Sequence, residues 1–183
     1  KEELTEYFTE LSKDASRDYL RPSFWPNTPD ILTEYLQSGL QPAFVVRLLL
    51  AGTLSASYGI YGPAFELMEH VPRSKGSEEY LNSEKYEIKV RDWDKPGNIK
   101  PYIRDLNLAR RANAALQQTS NLRFLGIEDS NVIGFVKEAV DKSNTVAGAI
   151  ALSRDAHDVW LPLGDVQVST ADGPRPVAAV ENL

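Results

Sequence analysis

The chain has no cysteine. That absence excludes a disulfide framework and a zinc site built on thiolates. Histidine is nearly as scarce: His70 and His157 are the two in the sequence, and neither belongs to a ligand spacing such as HxxxH. No loop of alternating acids around a central glycine is present for calcium either, so no metal is expected. Basic residues are in deficit, with 20 Lys and Arg against 26 Asp and Glu and a net charge of -6. Nucleic acid and anionic lipid both call for a basic face, so neither is an expected partner. Long apolar runs are missing too. The longest, "PAFVVRLLLAGTL" at 42–54, is too short to span a bilayer and carries Arg47, so it reads as a buried core helix. The first residues, "KEELTEYFTELSKD", form an acidic amphipathic pattern with none of the apolar centre of a secretion signal. A soluble, cytoplasmic protein is the expectation.

What is present has ordinary globular proportions: 183 residues, 42% apolar and 25% charged, enough for one sizeable domain or two small ones. The pattern changes character near residue 118. Before it, helical spacing dominates. Leu4, Phe8 and Leu11 predict a helix over 2–17. "DYLRPSFW" (18–25) is aromatic and bounded by prolines, which suits a buried strand or an extended connector. The spacing predicts a helix over 30–38 closed by Gly39, and a further helix from Pro42. Tyr58–Tyr61 reads as a strand ending in a glycine turn. Residues 66–97 form a long charged excursion with a turn region at 91–98. A helix over 99–117 follows, with Asn98 as N-cap and Ile99, Ile103, Leu106 and the stem of Arg110 on one stripe.

After Ser120 the period drops toward two. Two strands flank a turn at Glu128–Asn131, "NTVAGAIALS" supplies a third, and "DVWLPLGDV" (158–166) a fourth. Helix-strand alternation followed by consecutive strands indicates the end of an α/β unit joined to a small all-β module. Two strands are too few for a covered sheet, and "DGPRPVAAVENL" ends where another strand would start. The expectation is a piece of a larger fold.

Three blocks carry a more specific signal: "RPSFWPNTPDILTEYLQSG", "LAGTLSASYGIYGPAFEL" and "GSEEYLNSEKYEIKVRDWD". Together they resemble the C-terminal part of the bacterial α-1,4-glucan:maltose-1-phosphate maltosyltransferases of the α-amylase superfamily. The likeness is strong over residues 1–118 and looser over 119–183. It implies an α/β fold class: residues 1–118 as the last strands and helices of a (β/α)8 barrel, and 119–183 as part of an all-β C-terminal sandwich domain. In such barrels the active site lies at the C-terminal ends of the strands. "YLRPSFW" would be strand seven and "YGIY" strand eight.

The resemblance also implies chemistry. The superfamily retains configuration through an aspartate nucleophile, a glutamate acid and a third carboxylate that supports the transition state. The first two come from earlier strands that these 183 residues do not include, so this stretch alone is expected to be inactive. The third matches Asp30 of "NTPD", where most amylase relatives carry His-Asp and this chain carries Pro29-Asp30. Lys85 and Tyr86 of "NSEKYE" match a pair that contacts the donor phosphate; an ammonium and a phenol O–H both suit that task. Glu66 matches a carboxylate just past strand eight, without an assigned role. The implied partners are an α-maltose 1-phosphate donor, an α-1,4-glucan acceptor, the remainder of the catalytic domain and, for the full-length protein, a second copy as a homodimer. No cofactor is required.

Blander readings stand beside these. An acid after Thr28 and Pro29 suits the first turn of a helix, where it complements the dipole. Lys85 and Tyr86 lie in a charged run of the kind that is usually a solvated face. Tyr58 and Tyr61 read as packing, and Trp93 as either packing or a sugar platform. At the level of function, the alternatives are another α-amylase-superfamily hydrolase or trehalose-forming enzyme, a non-catalytic glucan-binding module, and a helical interaction protein.

Overall fold

A computed structural model describes residues 1–164 and 166, together with the backbone of 167–170 and 173–176. Helix α1 (Glu2–Lys13) buries Phe8 and Leu11 on the stripe set by their spacing. It stops short of residue 17 because Asp14 turns extended, and a single 3-10 turn, Ala15–Asp18, follows.

Strand β1 is only Ser23–Phe24, and it pairs in parallel with β2, Ser57–Tyr58. Pro22 and Pro26 flank β1 and have no N–H with which to extend the ladder. The Gly59 N–H still reaches the Phe24 carbonyl at 2.9 Å. Beyond it the expected strand over 58–61 ends, because the Tyr61 N–H donates to Asn27 Oδ1 at 3.0 Å. Tyr61 then leads into the short helix α3 (Gly62–Glu66), with Pro63 in its first turn.

The helix expected over 30–38 is absent at its start. Residues 30–33 are not helical, and a 3-10 turn, Glu34–Ser38, is closed by Gly39 at φ 67°. The N–H groups that would begin a helix are committed elsewhere. Ile31 N–H donates to the Thr28 hydroxyl at 3.0 Å, and Leu32 N–H donates to the Glu78 carbonyl across the chain.

Helix α2 (Gln41–Leu54) has Pro42 in its first turn, as expected, and buries Phe44, Leu48 and Leu54 completely. Helix α4 (Lys100–Ala112) packs against it, closely enough that a Cβ on Gly52 would lie 2.5 Å from Leu106 Cδ2. The N-cap position is Ile99 and not the expected Asn98, which stands one residue earlier and accepts the Lys100 N–H on Oδ1 at 3.1 Å in an Asx turn leading into the helix. The stripe of Ile99, Ile103, Leu106 and Arg110 is buried as its spacing predicts. The helix ends at Ala112 and not at 117. Asn113 is extended and returns its Nδ2 to the Ala109 carbonyl at 2.8 Å, and Ala114–Gln117 is a separate 3-10 turn.

Strands β3 (Leu122–Leu125), β4 (Val132–Glu138) and β5 (Thr145–Ala151) form an antiparallel sheet in the order β3-β4-β5. The turn at Glu128–Asn131 stands where the sequence placed it, between β3 and β4. The fourth strand expected over 158–166 is not formed across 158–164. Pro162 has no N–H to give a ladder, and the Leu163 N–H turns back to the Leu161 carbonyl at 2.8 Å. The alternation was nevertheless meaningful: Val159, Leu161 and Leu163 pack on Leu125, Ile127 and Val132, while Trp160 faces solvent. The next backbone pair is the antiparallel hairpin β6 (Gln167–Thr170) and β7 (Gly173–Pro176).

Phe8, Leu54, Leu122, Phe135 and Ile150 form one buried cluster, so α1, the end of α2 and the three-stranded sheet share a core. Two buried cations close the C-terminus of α2 at that junction. Arg110 donates to the carbonyls of Gly52, Ser55 (3.2 Å) and Ala56 (2.7 Å), and Lys137 Nζ donates to the Thr53 carbonyl at 3.1 Å. Cations suit the negative end of a helix dipole. Burial, aided by the like charge of Arg110, pushes the Lys137 ammonium down to about 7. The result is a mixed α/β structure with small sheets, and there is no closed barrel among the described residues.

Candidate functional site

The two parallel strands end at the same place, and the chain leaving each contributes to one polar surface. After β1 come Trp25, Asn27 and Asp30; after β2 come Gly59 and Tyr61. The Trp25 indole lies close against the Gly59 backbone, where a Cβ would sit 2.4 Å from the ring. Asn27 is buried and joins three segments. Its Nδ2 donates to the Tyr61 carbonyl at 3.2 Å and to the Tyr80 hydroxyl at 3.0 Å, while its Oδ1 accepts the Tyr61 N–H. Burial pushes the Tyr80 phenol up to about 12, so it remains a protonated, hydrogen-bonding group at any ordinary pH.

The charged excursion after α3 is held onto this surface by ion pairs. Arg91, largely buried, donates from Nε to Glu69 Oε1 and from Nη1 to Glu84 Oε1, both at 2.7 Å. Lys89 Nζ lies 3.0 Å from Glu69 Oε2, and the Tyr61 hydroxyl donates to Glu84. Burial alone would raise the Glu69 carboxyl, but the hydrogen bonds from Arg91 and Lys89 outweigh it and hold the group below its usual range. Burial would lower the Arg91 guanidinium, and its two carboxylates instead hold it above its ordinary value. These partners fix residues 83–91 against the strand ends.

At the open edge of this surface Lys85 Nζ lies 2.8 Å from Asp30 Oδ1 and 3.5 Å from Glu79 Oε1. Glu79 Oε2 in turn accepts from Arg73 Nη1 at 2.8 Å, and the Arg73 guanidinium stands 5.3 Å from the centre of the Tyr86 ring. The hydrogen bond to Asp30 raises the Lys85 ammonium above its ordinary value, so it is charged throughout the physiological range. Asp30 and Lys85 are both substantially exposed, with side chains 58% and 41% accessible, so the pair can exchange partners with a ligand. Such an edge offers a carboxylate to accept hydroxyl protons, two cations, and a phenol O–H that can donate to anion oxygens.

The structure therefore brings Asp30 and Lys85 into direct contact, with Tyr86 joined to them through Arg73 and Glu79. Asp30 caps no helix: it lies in a bend before the 3-10 turn, whose N-cap position is Thr33 and which has no side-chain cap. Tyr58 and Tyr61 pack against the core around Phe44 and Phe65, as read from the sequence. Glu66 closes α3, and its carbonyl accepts the Ile99 N–H. Trp93 is half-exposed in its turn. His70 packs beneath Gly39, and His157 pairs with Asp129 at 2.6 Å. Among the described residues no group of three or more His, Cys, Asp or Glu is placed to hold a metal ion. None of the helices among them is long and apolar enough to cross a membrane.

Asn27, Arg73, Glu79 and Arg91 were missed by the sequence reading. Glu79 and Arg91 fall inside the quoted block "GSEEYLNSEKYEIKVRDWD", where their charges look like a solvated face. Only the fold shows that Glu79 meets Arg73 and Lys85, and that Arg91 meets Glu69 and Glu84.

No protein-family profile matches the chain. Individual proteins do. An α-1,4-glucan:maltose-1-phosphate maltosyltransferase of Chlorobaculum tepidum is 51% identical over 168 residues, which covers 88% of this chain and 25% of that protein. Proteins of the same name from Methylacidiphilum infernorum and Rhodospirillum rubrum are each 44% identical, over 159 and 172 residues. Those alignments cover 87% and 92% of this chain and 24% and 25% of the relatives. The chain spans about a quarter of the length of the curated relatives it matches.

Proposed function

We propose that this chain, which belongs by sequence to the α-1,4-glucan:maltose-1-phosphate maltosyltransferases, forms one side of the donor site of such an enzyme. In this reading residues 1–118 are the closing part of a (β/α)8 barrel and residues 119–183 belong to a β-sandwich that follows it. The complete enzyme transfers maltosyl from α-maltose 1-phosphate to the non-reducing end of an α-1,4-glucan and releases phosphate.

Each role follows from side-chain chemistry. Asp30 accepts hydrogen bonds from hydroxyls of the reacting sugar, contacts that strengthen as the ring flattens toward an oxocarbenium ion. Lys85 and Tyr86 donate to the phosphate as the bond to the anomeric carbon breaks, which stabilises the departing anion. A nucleophilic Asp and an acid Glu must come from sequence beyond these 183 residues, so these residues alone are inactive in this account.

The observation that carries the reading is the 2.8 Å contact between Asp30, in the segment leaving β1, and Lys85. A carboxylate beside a cation is the juxtaposition a sugar 1-phosphate requires, and that supports the reading. The experiment is a product assay on the full-length protein with α-maltose 1-phosphate and a maltooligosaccharide. Release of phosphate with chain elongation by maltosyl units supports the reading. Release of glucose or formation of trehalose, without phosphate, would replace it with another superfamily activity.

A further inference from the structure

Arg73 and Glu79 have no role in the function proposed above, yet the fold presents them next to Lys85 on a defined platform. Residues 71–81 double back in a narrow ladder. Pro72 bridges Tyr80, the Arg73 N–H donates to the Glu79 carbonyl at 2.8 Å, and the Leu81 N–H donates to the Val71 carbonyl at 2.9 Å. Tyr80 is anchored to Asn27, so the ladder is tied to the strand ends. Arg73 and Glu79 are thus held as a cross-strand pair at the open edge of the site.

Glu79 is placed between two cations. One of its oxygens lies 2.8 Å from Arg73 Nη1 and the other 3.5 Å from Lys85 Nζ. A tetrahedral anion with several oxygens has the same reach and more charge. Arg73 is 57% exposed, with its guanidinium over the Tyr86 ring and one donor on Glu79, so it keeps donors free for a ligand. A guanidinium fork suits bidentate contact with phosphate, while an ammonium acts as a point charge; the two are complementary on one anion. With Asp30 and Glu79 both in place, the two carboxylates balance Arg73 and Lys85, and a phosphate must displace one of them to gain a cation.

We propose that Arg73 is a further phosphate-binding residue of this site, and that Glu79 holds the anion position until a phosphate group arrives and displaces it. This rests on the donor-site reading of Asp30, Lys85 and Tyr86. The ligand chemistry is a phosphate monoester or free phosphate, corresponding to donor and released product. Glu79 acts through Arg73 and Lys85 and is a positioning residue. Its presence makes the empty site electrically neutral and lowers its affinity for stray anions.

The test compares Arg73→Gln, Arg73→Lys and Glu79→Gln in the full-length protein, titrated calorimetrically with inorganic phosphate, with α-maltose 1-phosphate and with unphosphorylated maltose. Arg73→Gln is expected to weaken both phosphate ligands about tenfold, the size of one charge-assisted hydrogen bond, and Arg73→Lys to recover part of that loss. Glu79→Gln is expected to tighten both, because a competing carboxylate is gone. Maltose binding should be unmoved in all three. The opposite signs separate exchange from a structural ion pair, which would weaken binding whichever partner is removed. Weaker or unchanged phosphate binding in Glu79→Gln overturns the proposal, as does a response confined to free phosphate. Should Arg73→Gln fail to fold, Arg73→Lys and Glu79→Gln still decide. If the wild-type protein binds phosphate but releases none from α-maltose 1-phosphate, the donor-site reading falls while the sign of the Glu79→Gln effect still tests the exchange.

Discussion

Lys85 Nζ lies 2.8 Å from Asp30 Oδ1, and nothing local joins the two residues: one follows β1, and the other sits in a charged loop beyond α3. The contact exists because the loop is bound to the strand ends through Asn27, Tyr80, Arg91 and Glu69. Because both side chains are well exposed, the pair should add little to stability. In the proposed function its value is to ligand binding. Lys85→Met is therefore expected to leave the melting temperature within a few degrees while raising KM for α-maltose 1-phosphate by about tenfold or more, the loss of one charged contact. A large loss of stability with unchanged KM would assign Lys85 to the fold instead.

Asn27 should behave in the opposite way. It is buried and satisfies the Tyr80 hydroxyl and both backbone groups of Tyr61. Asn27→Leu keeps the volume but orphans those partners, at an expected cost of about 2–4 kcal/mol in denaturant unfolding. Amide exchange across residues 80–91 should accelerate at the same time. An unchanged unfolding midpoint would show that the hub is not what holds the loop.

Gly59→Ala is a test of space alone. The new methyl would meet the Trp25 ring at 2.4 Å, so the indole must move. Overpacking of this kind costs about 1–3 kcal/mol, and Trp25→Leu in the same chain should recover part of it. If Gly59→Ala is neutral, the indole does not rest against the strand end.

Lys137 gives a pH prediction. Its ammonium is pushed down to about 7 by burial and by Arg110, and Tyr58 is the other titratable group facing Arg110. An unfolded lysine titrates near 10.4. Between those values the unfolded chain binds more protons than the folded one, so stability rises with pH, and it is lost again as pH falls toward 7. From pH 7 to pH 9 the contribution is on the order of 2 kcal/mol. Urea unfolding at the two pH values should show that gain in the wild type and lose it in Lys137→Met. A gain of equal size in the variant would place the titration elsewhere.

Much of this arrangement was legible in the sequence, because it rests on periodicity. The stripe of α4, the core of α2, the Gly39 terminus and the β3–β4 turn each follow from spacing and turn chemistry. The 30–38 helix and the 158–166 strand were not, for one shared reason. In both, the apolar pattern was right but the backbone donors were claimed by other partners, at Ile31 and Leu32 in one case and around Pro162 in the other. Of the candidate site, Asp30, Lys85 and Tyr86 came through a family resemblance, Asp30 from one block and the other two from another. Arg73 and Glu79 did not, because the ladder that pairs them depends on tertiary contacts at Tyr80 and has no signature of its own.

The most direct measurement is the turnover of Asp30→Asn in the full-length protein, followed as phosphate release from α-maltose 1-phosphate with a maltooligosaccharide acceptor. If Asp30 has the proposed role in supporting an oxocarbenium-like transition state, removing its charge should cut kcat by about a thousandfold or more, with the fold and the affinity for inorganic phosphate retained. Turnover within a few-fold of the wild type would contradict the account and leave Asp30 as a surface partner of Lys85.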